Sequence, residues 1–136
     1  MDPANISVTR TLAIDGALLG DVLLRLRRDS GPEPLRWTLG NRGVAEVDVK
    51  FTSVGNTWTT AARVWDAGGL AVAGVALRLD YTGTDAVQLT LQPTTALTPF
   101  WLEREEELLE LAHAAIDELS EELLWHASRT GVTAQP

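Results

Sequence analysis

The chain has 136 residues, 45% of them hydrophobic, with 11 Lys+Arg against 19 Asp+Glu and no cysteine. At the usual ~100–200 residues per domain this is one domain with its own core, and the missing cysteines exclude a disulfide scaffold, a thiol nucleophile and thiolate zinc sites. No apolar run reaches the ~18 residues of a membrane-spanning helix and no basic-then-apolar leader opens the chain, so a cytoplasmic protein without membrane insertion is expected.

Residues 6–14 open the chain with period-two alternation: Ile6, Val8, Leu12 and Ile14 share one face with Arg10, against Ser7, Thr9 and Thr11, which predicts a strand. Asp15 is placed to cap a helix. Leu18, Leu19, Val22, Leu23 and Leu26 then recur at three- and four-residue spacing, Arg25, Arg27 and Arg28 stand near the end, and Ser30-Gly31-Pro32 stops the run. A short strand around Leu35–Leu39 and four longer ones follow, centred on Val47-Val49-Phe51, Trp58-Thr60-Ala62-Val64, Val75-Leu77-Leu79-Tyr81 and Val87-Leu89-Leu91. The third of these reads back through Gly74 with a bulge. Their hairpin-sized breaks (54–56, 67–69, 83–85) predict an antiparallel meander with one covered face.

The last element is a helix from the cap Thr98 and Pro99 to Arg129 and Gly131. About thirty residues at ~1.5 Å rise give a rod of about 45 Å, as long as a domain of this size is wide. At 100° steps Trp101, Leu102, Leu108, Leu109, Ala112, Ala115, Ile116, Leu119, Leu123 and Ala127 form one broad apolar sector. Glu105 projects from the middle of that sector. Leu111, Leu124 and Trp125 fall outside it, an expected surface for a homodimer. One domain over 1–131 and a disordered tail over 132–136 complete the organisation.

The net charge of −8 is uneven. Residues 1–99 hold ten acids and nine bases, hence −1; residues 100–136 hold nine acids against Arg104 and Arg129, hence −7. An acidic body without a basic stripe repels phosphate backbones, so nucleic acid is not an expected partner. Lys50 is the only lysine.

Strand, helix, antiparallel strands and one long C-terminal helix resemble the START-like, helix-grip superfamily of polyketide cyclases, aromatase-cyclases and lipid-transfer domains. The stretches that carry the resemblance are Val8-Thr9-Arg10-Thr11-Leu12-Ala13-Ile14 before a helix and Val87-Gln88-Leu89-Thr90-Leu91 before the last helix. The chain departs from that family at two points. Asp15-Gly16 stands where a proline pair is usual, and only Gly31–Trp37 is left for the usual second short helix. The resemblance implies an α+β fold, a curved sheet gripping the C-terminal helix, with an apolar tunnel between them.

No nucleophile elbow, phosphate-cradling loop or dinucleotide turn is present. His113 and His126 lie about 220° apart on the last helix, so they share no metal, and both are expected at the surface or its boundary. The predicted ligand-binding residues are Arg10, Trp58, Leu77, Leu89, Glu105, Leu109, Ala112 and Ile116, with no catalytic residue, metal or cofactor. Arg10 and Glu105 read inward on their elements, which leaves two outcomes. They form a charged pair in the tunnel, or both side chains reach solvent, Arg10 along its stem and Glu105 in a first turn that extends past the sheet. The five tryptophans supply flat apolar surface for a ligand or a core. Three readings follow in this order: a binding module for a small hydrophobic molecule, lipid-like or polyketide-like; an interaction or dimerisation module using the last helix, a small acidic secretion-type chaperone being one variant; and a cyclase or aromatase, whose chemistry rests largely on positioning.

Overall fold

The computed structural model describes residues 7–83, 86–94 and 99–133. Ile6, the cap Thr98, the turn at 84–85 and the tail 134–136 lie outside them. β1 (Val8–Leu12) buries Val8 and Leu12 and exposes Thr9 and Thr11, as its alternation dictates. The Asp15 carboxylate then accepts the Ala17 N–H at 2.9 Å and holds a single 3₁₀ turn over Gly16–Leu18. That turn feeds α1 (Leu19–Ser30), which buries Leu19, Val22, Leu23 and Leu26. Gly31 ends the helix at φ +71°, a conformation that only glycine adopts at little cost.

Six strands follow: β2 (Leu35–Thr38), β3 (Gly43–Val47), β4 (Thr52–Val54), β5 (Thr57–Asp66), β6 (Ala71–Gly83) and β7 (Ala86–Pro93). All pairings are antiparallel, in the order β1-β7-β6-β5-β3-β2, with β4 also on β5. The meander therefore runs from β2 to β7, and β1 closes onto its last strand. Because β1 and β2 stand at opposite edges, α1 has to cross the width of the sheet. Gly74, at φ +54°, lies where the β5–β6 register slips between Ala62 and Val64, the bulge that the sequence indicates. The result is a curved antiparallel sheet with a long C-terminal helix, a helix-grip architecture.

Two predicted elements change. Residues 46–51 are not one strand: β3 ends at Val47 and β4 begins at Thr52, so four residues face only Thr60 and Ala61 of β5. The Thr60 hydroxyl lies 3.1 Å from the carbonyl oxygens of both Asp48 and Lys50 and takes the place of the missing ladder bonds. The terminal helix is also divided, into α2 (Pro99–Leu102) and α3 (Glu105–Thr133). Trp101 causes the break: its ring is 1% exposed and its indole N–H donates to the Ala71 carbonyl at 3.1 Å, which holds α2 against the start of β6. At the other end α3 runs through Gly131 to Thr133, past the predicted stop.

The core lies between the sheet and α3. Leu77, Leu79, Val87 and Leu89 from the strands meet Ile116, Leu119 and Leu123, all within 1% of complete burial. No helix among the described residues is long and apolar enough to cross a membrane.

Candidate functional site

The predicted tunnel is filled. Between the sheet and α3 there remains an apolar cavity of about 20 Å³, lined by Val64, Val72, Val75, Leu91, Leu108 and Ala112. That is room for about one water, against the ~300–1,000 Å³ of sites that take drug-sized ligands. Leu77, Leu89 and Ile116 are completely buried in the packed core, Ala112 lines the small cavity, and Leu109 packs half-buried against the core edge. The structure brings these five residues together, but around side chains rather than open space.

The Arg10–Glu105 pair does not form. Glu105 keeps the face of Ala112 and Ile116 within α3, but residues 103–107 are all exposed, so the start of the helix lies beyond the cover and the carboxylate stands in water. Arg10 instead pairs with Asp117 of α3, both side chains about half exposed. Leu111 is another correction: it is 1% exposed and takes no part in a dimer surface. α3 touches α1 as well as β1, β3, β5 and β7, so a wider sector is covered than one sheet alone would cover. Leu124 and Trp125 remain exposed, with Arg129 stacked 4.0 Å from the Trp125 ring. His113 is exposed, whereas His126 is 2% exposed, its ring nitrogens 3.3 Å from Glu122 and 3.5 Å from Asp29 at the end of α1.

Open space lies on the other side of α1. Gly20, Leu23, Leu24 and Arg27 follow each other at helical spacing i, i+3, i+4, i+7 and so share one face. That face looks onto Val49, Phe51 and Trp58 across a groove of about 280 Å³. Trp58 is the one predicted site residue found here. Its ring would stand 3.6 Å from a Cβ on Gly20, and the missing side chain leaves the groove open. Leu24, Arg27 and Val49 continue into a second groove of about 570 Å³, completed by Arg28, Gly31, Pro32 and Lys50. The 48–51 bulge builds the far wall of both: held by Thr60, it buries Val49 and exposes Lys50. On its outer side Arg63 donates to Glu46 at 3.0 Å and to Asp48 at 2.7 Å. The hydrogen bonds to Asp48 and then Glu46 hold the Arg63 guanidinium above the usual arginine range.

Sequence reasoning missed this groove because Arg27 and Arg28 are accounted for by the dipole of α1 and Lys50 by a strand that does not exist. The available signal was the 20-23-24-27 face, which carries Leu24 outside the α1 core face; Leu24 is 58% exposed. The connection 31–34 holds no second helix, so nothing from that segment lies over α1 as an extra helix. Among the described residues no group of three metal-ligating side chains comes together.

No protein-family model and no curated protein matches the chain. Two solved structures are similar to it. The Mll3558 protein from Rhizobium loti is 14% identical over 85% of this chain and 94% of its own, with a TM-score of 0.38. The Zhui aromatase/cyclase from Streptomyces sp. R1128 is 17% identical over 90% of this chain and 92% of its own, also with a TM-score of 0.38.

Proposed function

We propose that this protein is a binding module for a small, largely apolar molecule, held in the groove between α1 and the β4–β5 side of the sheet. The observation that carries the reading is the groove itself: an open channel walled by Leu23, Leu24, Phe51 and Trp58 beside a core that is otherwise packed shut. Leu24, 58% exposed, and the partly covered Phe51 and Trp58 gain on the order of 25 cal/mol per Å² when a ligand removes them from water. A rigid helix on one side and a hydrogen-bonded bulge on the other keep the channel formed before the ligand arrives, which lowers the ordering cost of binding.

Trp58 reports occupancy directly. An apolar ligand that displaces water from its ring is expected to shift its fluorescence, and Trp58→Phe should remove most of that change while the other four tryptophans stay constant. Native mass spectrometry of the purified protein, before and after denaturation, is the companion measurement. A released small molecule supports the reading. Protein that carries no extra mass, and whose Trp58 signal stays flat with every apolar probe offered, overturns it.

A further inference from the structure

The groove has a charged end, and its chemistry points to a more specific ligand. Most basic side chains of this acidic chain are engaged. Arg10, Arg25, Arg36, Arg42, Arg63 and Arg78 each face a carboxylate within 4.0 Å. Arg104 and Arg129 lie over aromatic rings, 3.8 Å from the Phe100 centroid and 4.0 Å from that of Trp125. That leaves Arg27, Arg28 and Lys50, which make no ion pair with any described residue, and all three line the same groove. They come from two separate elements, the last turn of α1 and the 48–51 bulge. The dipole of α1 explains two arginines at its C-terminal end but not a lysine delivered from the sheet. In a chain of net charge −8, three cations left together without partners form a local positive site.

We propose that the groove takes an amphipathic anion: an acyl chain along Leu23, Leu24, Phe51 and Trp58, with a carboxylate or phosphate head at Arg27, Arg28 and Lys50. This rests on the binding function proposed above and names its ligand class. The two ends are joined, since Leu24, Arg27 and Val49 line both stretches of the groove. The C-terminal end of α1 presents about half a negative charge toward the head group. Three full positive charges outweigh it. Guanidinium forks suit a planar carboxylate and equally the oxygens of a phosphate, so the shared chemistry is an anionic head on an apolar tail.

The test uses the full chain and four probes with the same twelve-carbon tail, each below its micelle threshold: dodecanoate, dodecyl phosphate, dodecanol and dodecyltrimethylammonium. Calorimetric titration should show one or both anions bound at least tenfold tighter than dodecanol, with the ammonium weakest. The ranking of the two anions then identifies the head group. A charge-assisted contact is worth roughly tenfold in affinity, so Arg28→Gln combined with Lys50→Gln should weaken the preferred anion at least tenfold and leave dodecanol unchanged. If that variant does not fold, salt gives the same reading on the unaltered protein: rising ionic strength must weaken the anions and spare dodecanol. Dodecanol binding as tightly as the anions overturns the head-group assignment while the binding function stands. Failure of all four probes overturns both. Capture by phosphatidylglycerol vesicles without any binding of the monomeric anions also overturns the proposal, in favour of a membrane surface.

Discussion

The two helices that lie on the sheet show what one sheet does under different cover. Toward α3 it meets a helix that supplies leucine, isoleucine and alanine along its whole length, and the space closes to a cavity of about 20 Å³. Toward β4 and β5 the other helix, α1, meets a bulge and a short connection, and a groove of about 280 Å³ remains, opening into one of about 570 Å³. The difference is one of side-chain supply. Where leucines, isoleucines and valines of the sheet and helix alternate with the smaller Ala112 and Ala115, a curved sheet and its helix interdigitate at interior density. Where Gly20 faces Trp58, the ring stands at contact distance from the place of a Cβ, and no side chain extends from that position of α1 into the groove beside it. In this chain the space available to a ligand therefore lies beside the grip rather than inside it.

Cutting into the closed side should have the largest effect. Leu77→Ala removes a completely buried side chain at the centre of the sheet and is expected to lower the unfolding free energy by about 3 kcal/mol, read from denaturant midpoints. A loss below about 1 kcal/mol would break the comparison, because it would show an interior already loose enough to admit water. Thr60→Val tests the joint between the two sides. It keeps the shape of the side chain but removes the hydroxyl that holds the Asp48 and Lys50 carbonyls, at an expected cost of about 1.5 kcal/mol. The bulge carries Lys50, so anion affinity should fall with it. Unchanged affinity would detach the bulge from the site.

Much of this architecture was legible from periodicity. The alternation of Val8 and Leu12, the 19-22-23-26 spacing of α1 and the Gly74 bulge all reappear as predicted, because burial imposes the period of each element on its apolar residues. The failures share a cause. Alternation reports which side chains are buried, not which backbone groups are paired. Val47 and Val49 are both buried, at 3% and 4% exposure, yet the ladder ends between them. Glu105 was misplaced because periodicity gives the face of a helix and not how far along it the cover extends: residues 103–107 are all exposed. Leu111 was misplaced because α1 also packs on α3, a second cover that a one-sheet picture omits. The candidate site was the least legible part. Its walls come from α1, the bulge and β5, which are brought together only by the crossing of α1 over the sheet.

On the open side, Gly20→Leu should fill the groove at little cost to the fold. The new Cβ meets the Trp58 ring at an ordinary contact distance of 3.6 Å, and replacing a helical glycine adds helix propensity worth about 0.8 kcal/mol. Thermal stability is expected to stay level or rise slightly while binding of every twelve-carbon probe is lost. A variant that binds as before would move the ligand away from α1 altogether.

The smallest expected effect separates engaged cations from free ones. Arg10 stands on the inward-reading face of β1, where the sequence offers it either a pair with Glu105 or a reach to solvent. In the structure it is about half exposed and joined to Asp117. Ion pairs of that kind contribute less than about 1 kcal/mol once solvent screening and side-chain ordering are counted. Arg10→Met should therefore change stability by no more than that, in either direction, and should leave dodecanoate affinity where it was. Arg28→Gln with Lys50→Gln takes away the same type of charge from side chains that form no ion pair among the described residues, and there the affinity should drop at least tenfold. If the order is reversed, with Arg10→Met costing the anion and the double variant costing nothing, the ligand sits under α3 after all, and the filled interior must open to receive it.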